Sequence, residues 1–188
     1  QILIETYMAK LSTEDCILTA APFINKKDIF GMTPLHLSIE KENEKLVDYF
    51  IENGANVSLS DADGCSSIHF AAKVGSISII SKLIEKGAKT RRKTKNGRTI
   101  FHFAAFSKNP YVFNDLLMLC RSHNDININT PDQYGRIPLH YACEQGTVSV
   151  VHELLKLHSD VSKKDIDMMM PIHYAALNGN LNVMQLLI

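Results

Sequence analysis

The sequence predicts an all-α solenoid of stacked helix-turn-helix units. Three observations carry that prediction. The stretch Gly31-Met32-Thr33-Pro34-Leu35-His36 returns four times, as Ser66-Ser67-Ile68-His69, Thr99-Ile100-Phe101-His102, Ile137-Pro138-Leu139-His140 and Met170-Pro171-Ile172-His173. The histidines are spaced by 33, 33, 38 and 33 residues, a period that marks repeat architectures. Behind the first four motifs lies a second helical pattern, with apolar residues at i, i+3 and i+4: Val47, Phe50, Ile51; Ile80, Leu83, Ile84; Phe113, Leu116, Leu117; Val151, Leu154, Leu155. That spacing places them on one helical face.

Each residue of the motif has a separate task. Thr33 can cap a helix, its hydroxyl accepting from an orphan backbone N–H. Pro34 follows at the first helical position, where a missing N–H costs nothing. Leu35 points to the core, and His36 lies where its imidazole can meet the Thr33 hydroxyl across the turn. These units resemble ankyrin repeats, whose pattern runs Asp-x-x-Gly-x-Thr-Pro-Leu-His-x-Ala-Ala, then Gly, then Val-x-x-Leu-Leu, then Gly-Ala. Residues 61–93 match through Asp61, Gly64, His69, Ala71-Ala72, Gly75, Leu83-Ile84 and Gly87-Ala88. The resemblance covers nearly the whole chain. It implies a β-turn finger plus two antiparallel helices per unit, stacked into a curved array.

Taken in order, residues 1–27 read as a partial, degenerate leading repeat. Ile2 to Met8 is amphipathic, Ser12-Thr13 opens a short helix through Ile17-Leu18, and Pro22 to Lys27 forms a connector. Unit 28–60 ends its second helix at Gly54-Ala55; Ser38-Ile39 replaces the Ala-Ala pair, so Ile39 is expected to loosen or shift the packing there. Unit 61–93 is capped by Ser66 and lacks the Pro. Unit 94–131 lacks the leading Asp and has Lys108 in place of the inter-helix Gly, with Pro110 expected to open its second helix. Aligning Ile128 with Val57 puts its five extra residues around Met118 to Asn124, as a longer helix or a tolerated loop. Unit 132–164 has His158-Ser159 for Gly-Ala. Unit 165–188 is truncated, and Met168-Met169-Met170 replaces Gly-x-Thr. A Met where Gly permits positive φ puts that turn in question, and losing the Thr hydroxyl is expected to remove the partner of His173. The chain begins at Gln1 and stops at Leu187-Ile188 inside a helical pattern, so it reads as one array, 1–188, from a longer protein.

Composition narrows the function. Of 188 residues, 45% are hydrophobic and 21% charged, a globular balance. Lys+Arg 20 against Asp+Glu 20 argues against a general nucleic-acid binder. No apolar run approaches the roughly 18 residues of a membrane span. Cys16, Cys65, Cys120 and Cys143 show no close pairing, which fits thiols in a reducing compartment. The five motif histidines fall on different repeats, about one helix-packing distance of 10 Å apart, so they cannot share a metal ion. They read as structural hydrogen-bonding groups, with Thr33 and Thr99 as partners of His36 and His102, and His69, His140 and His173 alike. His152-Glu153 fails as a zinc motif because Lys156 stands where the second His belongs. His123 and His158 fall near connectors and are expected to be solvated. Nothing assembles a nucleophile, a base and an oxyanion site. The expectation is a non-enzyme without cofactor or metal.

Recognition is the remaining class. The resemblance implies partner binding on the concave side, through the fingers and the exposed face of each first helix. Those positions are expected to stay out of the inter-repeat core. The candidate partner-binding residues are Phe30, Met32, Arg91, Arg92, Lys95, Arg98, Phe106, Tyr134, Arg136 and Met169. Phe106, Tyr134, Arg98 and Arg136 gather near the middle of the array and are of the hot-spot types; the plainer reading packs Phe106 under the neighbouring finger. Residues 89–98 hold six Lys/Arg and no acid. They read as a solvated connector, or as a contact for an acidic protein segment, an anionic lipid or nucleic acid. Asp61, Asp63 and Asp132 in neighbouring fingers favour a mixed-charge protein surface. The expected object is a monomeric, non-catalytic protein-binding array, cytoplasmic or nuclear. The rival is a regulatory or tethering segment of a larger channel or enzyme.

Overall fold

The computed structural model describes residues 23–120 and 127–188. Most of the expected leading repeat, and residues 121–124 of the expected insertion, lie outside the described residues. The described residues form ten helices in five pairs: α1 (Pro34–Glu40) with α2 (Glu44–Glu52), α3 (Ser67–Val74) with α4 (Ile77–Glu85), α5 (Ile100–Ala104) with α6 (Val112–Leu119), α7 (Pro138–Gln145) with α8 (Val148–Lys156), and α9 (Pro171–Leu177) with α10 (Leu181–Leu187). Odd-numbered helices pack on one another in sequence, α1 on α3 through to α7 on α9. The small residues Ala71, Ala72, Ala104, Ala105, Ala142 and Cys143 are fully buried there and let the backbones approach. Ile39 in place of a second Ala is also fully buried, and α1 still packs on both α2 and α3.

Helix starts follow their caps. The Thr33 hydroxyl accepts from the His36 N–H at 3.4 Å, and the Asn43 carboxamide oxygen accepts from Leu46 N–H at 3.1 Å. Pro opens α1, α7 and α9. The third unit departs from the expectation: α6 starts at Val112, and Pro110 belongs to the turn before it. Where Gly75 and Gly146 end α3 and α7 in the left-handed region, Lys108 lacks that freedom. The inner helix α5 stops after Ala104, and the Asn109 carboxamide caps the following turn by accepting from Tyr111 N–H at 3.0 Å. Beyond the extra residues the register resumes, since Ile128 and Val57 are both buried.

The fingers are built by their leading aspartates. Asp28 Oδ1 accepts from Phe30 and Met32 N–H at 2.9 and 2.8 Å; Asp61, Asp132 and Asp165 repeat the pattern. In the third finger Thr94 does half the work, its hydroxyl accepting from Arg98 N–H at 3.2 Å. Each finger is tied to the next by one backbone bond: Ala62 N–H to Phe30 O, Lys95 N–H to Asp63 O, Gln133 N–H to Asn96 O and Ile166 N–H to Tyr134 O, all 2.9–3.0 Å. The approach is so close that a Cβ on Gly31 would sit 2.7 Å from the Ala62 nitrogen. Met168 does not spoil its turn. It adopts φ +60° as the Gly would, and its N–H still donates to Asp165 O at 3.1 Å. Glu42 (φ +54°) and His158 (φ +59°) likewise hold positions where the repeat prefers Gly.

Candidate functional site

The motif histidines stitch the array. Nδ1 of His36, His69, His102, His140 and His173 accepts from the backbone N–H three residues earlier, at 3.0–3.2 Å. Nε2 of the first four faces a carbonyl of the next connector or finger: Leu59, Arg92, Arg136 and Met169, at 3.0–3.2 Å. A donor on one nitrogen and an acceptor on the other fix the neutral Nε2–H tautomer. The four are fully buried, and burial depresses their pKa, to about 4 for His69 and His102. The Ser66 and Thr99 hydroxyls also contact Nδ1 of their histidines, at 3.1 and 2.9 Å. His173 nevertheless keeps its partner without a Thr, because the backbone of Met170 supplies the donor. The expected loss there does not occur.

A second chain runs through the later units. Asp132 Oδ2 accepts from the Tyr141 hydroxyl at 2.6 Å and lies 3.5 Å from Arg98 Nε. Asp165 Oδ2 accepts from the Tyr174 hydroxyl at 2.5 Å and from Arg136 Nε at 3.3 Å. Arg98 stacks over the Tyr141 ring at 4.7 Å, and Arg136 over Tyr174 at 4.7 Å. Burial raises the Asp165 carboxyl, but the Tyr174 hydroxyl, two backbone N–H groups and the Arg136 guanidinium lower it further, and the net shift is downward. Burial and the Asp132 carboxylate push the Tyr141 hydroxyl up to about 12. Arg98 and Arg136 therefore bind within the array, and the expectation that the finger and inner-helix positions stay out of the inter-repeat core fails for them. It fails also at Met32, Met169 and Phe106, which pack against the core, and at buried Cys65. The fourth residue after each finger's start (Met32, Cys65, Arg98, Arg136, Met169) lies on the return of the finger, and both arginines there reach the next unit. Tyr141 and Tyr174 escaped the sequence reading, although each directly follows a motif histidine and stands nine residues after a finger Asp.

Of the remaining candidates, Phe30, Arg91, Arg92 and Lys95 are exposed, and Tyr134 is half-buried under Arg136 at 5.8 Å. Arg92 Nη1 donates to Ser58 O at 2.7 Å. Phe106 is half-buried against the Tyr141 ring, 5.5 Å between centroids. His158 is exposed, as expected of a connector residue. A recess of about 560 Å³ opens on the inner helices, with Phe70, Val74 and Phe106 beside Glu40, Glu42, Lys73 and Lys108. Among the described residues, no group of three His, Cys, Asp or Glu side chains could hold a metal ion. Cys65, Cys120 and Cys143 are buried and unpaired, and burial pushes the Cys143 thiol up to about 12. No helix among the described residues is long and apolar enough to cross a membrane.

The family model for ankyrin repeats in three copies matches residues 7–94, 45–132, 68–165 and 101–188. The chain belongs to the ankyrin repeat family. The ankyrin repeat is a non-catalytic module of protein–protein interaction. The chain is 28% identical to human inversin over 186 residues, 95% of its own length and 17% of inversin. It is 37% identical over 75 residues to a putative ankyrin repeat protein of fowlpox virus, covering 40% of the chain and 52% of that protein. It is 40% identical over 57 residues to the human transient receptor potential cation channel subfamily A member 1, covering 30% of the chain and 5% of the channel. The chain thus spans a small part of most relatives it matches.

Proposed function

We propose that this array recognises a partner protein on its concave side, across the fingers and the recess on the inner helices. The observation that carries the reading is the finger ladder. Four backbone bonds and the histidine stitches hold the fingers in fixed relation, so little ordering cost remains for the binding step. Phe30, Phe106 and Tyr134 supply apolar and aromatic area, while Arg91, Arg92 and Lys95 offer exposed positive charge to an acidic segment of the partner. The buried free thiols suit a reducing, cytoplasmic setting. The test is affinity capture with the wild-type array, a Phe106→Ala/Tyr134→Ala variant and a Lys45→Glu control on α2, each first shown folded by circular dichroism. The expected outcome is a partner kept by wild type and control and lost from the double variant. Equal capture by all three removes the concave reading.

A second reading is favoured by the relatives, several of which are long proteins that include a cation channel, palmitoyltransferases and a tyrosine-protein kinase. In it the array tethers or regulates a larger protein that contains it. Capture of a segment from the same full-length protein, rather than of a separate partner, distinguishes the two.

A further inference from the structure

The recess on the inner helices carries opposite charges at its two ends. It opens where the third unit is cut short: α5 stops after Ala104, whereas α3 and α7 each run eight residues. Phe106 lies past that end, half-buried against the Tyr141 ring. The Asn109 NH₂ donates to Gly75 O at 2.9 Å and holds the inter-helix turn of the third unit against the second. Phe70, Val74 and Phe106 give the recess an apolar floor.

Its rim is set by one repeat position, the residue just before the second helix's cap. That residue is Glu42 in the first unit, Gly75 in the second and Lys108 in the third, 33 residues apart each time. Gly75 carries no side chain, while Glu42 and Lys108 both line the recess and are exposed. Between them Glu40 and Lys73 pair with each other at 3.9 Å. The recess is therefore negative toward the first unit and positive toward the third.

Polyanions do not suit this pattern. A nucleic acid or an anionic membrane laid across the recess would bring phosphates over Glu40 and Glu42, a like-charge contact. A purely acidic peptide meets the same penalty at that end, and a purely basic one meets it at Lys108. The complementary occupant carries a cation, an apolar side chain and a carboxylate in line. Successive units stack about 10 Å apart, so the two charged ends lie about 20 Å apart, the reach of about six residues of extended chain.

We propose that the recess takes an extended segment of a partner protein in which a basic and an acidic residue, about six residues apart, flank a Leu-sized apolar side chain. The cation faces Glu42, the apolar side chain rests on Phe70, Val74 and Phe106, and the carboxylate faces Lys108. This inference rests on the concave reading and adds to it the partner's charge pattern.

The test titrates the whole chain, followed by amide NMR, with the blocked peptide acetyl-Lys-Gly-Ser-Leu-Ser-Gly-Glu-amide. Three relatives of the peptide carry Lys at both ends, Glu at both ends, or Ser in place of Leu. Saturable shifts are expected at Val74, Gly75, Phe106 and Lys108. Each like-charged peptide should bind about threefold to tenfold more weakly than the bipolar one, and the Ser form about tenfold or more. Lys108→Glu makes both ends of the recess negative and should transfer the preference to the peptide with two Lys. Glu42→Lys should transfer it to the peptide with two Glu. Both side chains are exposed on inter-helix turns, and a transferred preference cannot come from misfolding. Equal binding of all charge forms, or a preference that does not move with the variants, overturns the charge pattern and leaves the concave reading standing. A lack of saturable shifts at the four residues also overturns it, and the concave reading is then judged by partner capture through Phe106 and Tyr134. Shifts at the same residues that grow with the chain's own concentration, without peptide, would assign the recess to a second copy and overturn the proposal as well.

Discussion

The first two units and the last three solve the same junction with different chemistry. In every unit after the first, an aromatic residue follows the motif histidine and meets the histidine of the previous unit: His36 with Phe70, His69 with Phe103, His102 with Tyr141 and His140 with Tyr174, at 5.1–5.9 Å between centroids. That aromatic contact is common to both regions. The early junctions complete it with Met32 and Cys65, the later ones with Arg98 and Arg136. Tyrosine appears only where an Arg of the previous finger and the Asp of its own finger can both use the ring and its hydroxyl. Asp61 without such an Arg is followed by Phe70, and Thr94 in place of Asp by Phe103. Beyond the histidine and finger bonds that all junctions share, the apolar junction adds apolar side chains packed against the core at this position. The polar junction adds a buried carboxylate whose removal strands two partners.

The comparison is broken most directly at the aspartates. Asp28→Ala should cost about 1 kcal/mol, the price of a lost turn cap. Asp132→Ala should cost about 3–5 kcal/mol, because Arg98 is left as an uncompensated, half-buried charge and the Tyr141 hydroxyl as an unpaired donor. Urea unfolding of the two variants measures the difference. Equal losses would mean that the carboxylate serves only as a finger cap in both regions.

Acid should act on both regions at first. His69 and His102 have folded pKa values of about 4 against an ordinary value of 6.5. The unfolded chain therefore binds more protons between these values, so stability is full above about pH 6.5 and falls as pH drops toward 4, by on the order of 3 kcal/mol per histidine. His36 and His140 shift in the same direction. Below that window the regions should part. The Asp165 carboxyl is depressed by its partners, so its stabilisation is present above the ordinary carboxylate range and is lost as pH falls through the folded pKa. Amide exchange at pH 7, 5 and 3 should show uniform loss first and then a steeper loss in 132–188. A loss confined to one region already at pH 5 would contradict the shared histidine mechanism.

Tyr141→Phe converts a late junction to the early chemistry while keeping the ring. One acceptor on Asp132 is left without its donor, at a cost of about 1–2 kcal/mol. Phe70→Tyr should not restore an equal amount, because Met32 supplies no cation for the hydroxyl's partner. A gain at Phe70 as large as the loss at Tyr141 would show that the Arg is dispensable.

The fold was legible because its signals are local and repeated: a cap, a histidine, two small residues and an apolar stripe at one spacing. The junction chemistry was less legible because it lies between residues 9, 29 and 34 apart in sequence, as in Tyr141–Asp132, Arg136–Asp165 and Arg98–Asp132. Each side chain alone looks like an ordinary surface residue, and the finger register placed both arginines in a groove when their partners lie in the adjoining unit. Backbone donors were hidden for a different reason. His173 looked orphaned by the missing Thr because a side-chain inventory omits the Met170 N–H that all five histidines use in the same way.

The smallest expected effect concerns strain that neither junction type relieves. Glu42, His158 and Met168 hold φ of +54°, +59° and +60° at positions where the repeat prefers Gly. A left-handed conformation costs a residue with Cβ about 1–2 kcal/mol. Replacing it with Gly removes that cost but adds about 0.4–1 kcal/mol of unfolded-chain entropy. All three side chains are exposed, so little burial is lost. The net gain should be about 0.5–1 kcal/mol for each of Glu42→Gly, His158→Gly and Met168→Gly. Because the strain is a property of one residue's backbone, the gain should be alike in the apolar region, which holds Glu42, and in the polar region, which holds the other two. Thermal unfolding of the three single variants measures it. A destabilised Met168→Gly beside two stabilised variants would mean that the methionine contributes to the last finger through its side chain, and that the tip of this finger is held by more than its Asp165 turn.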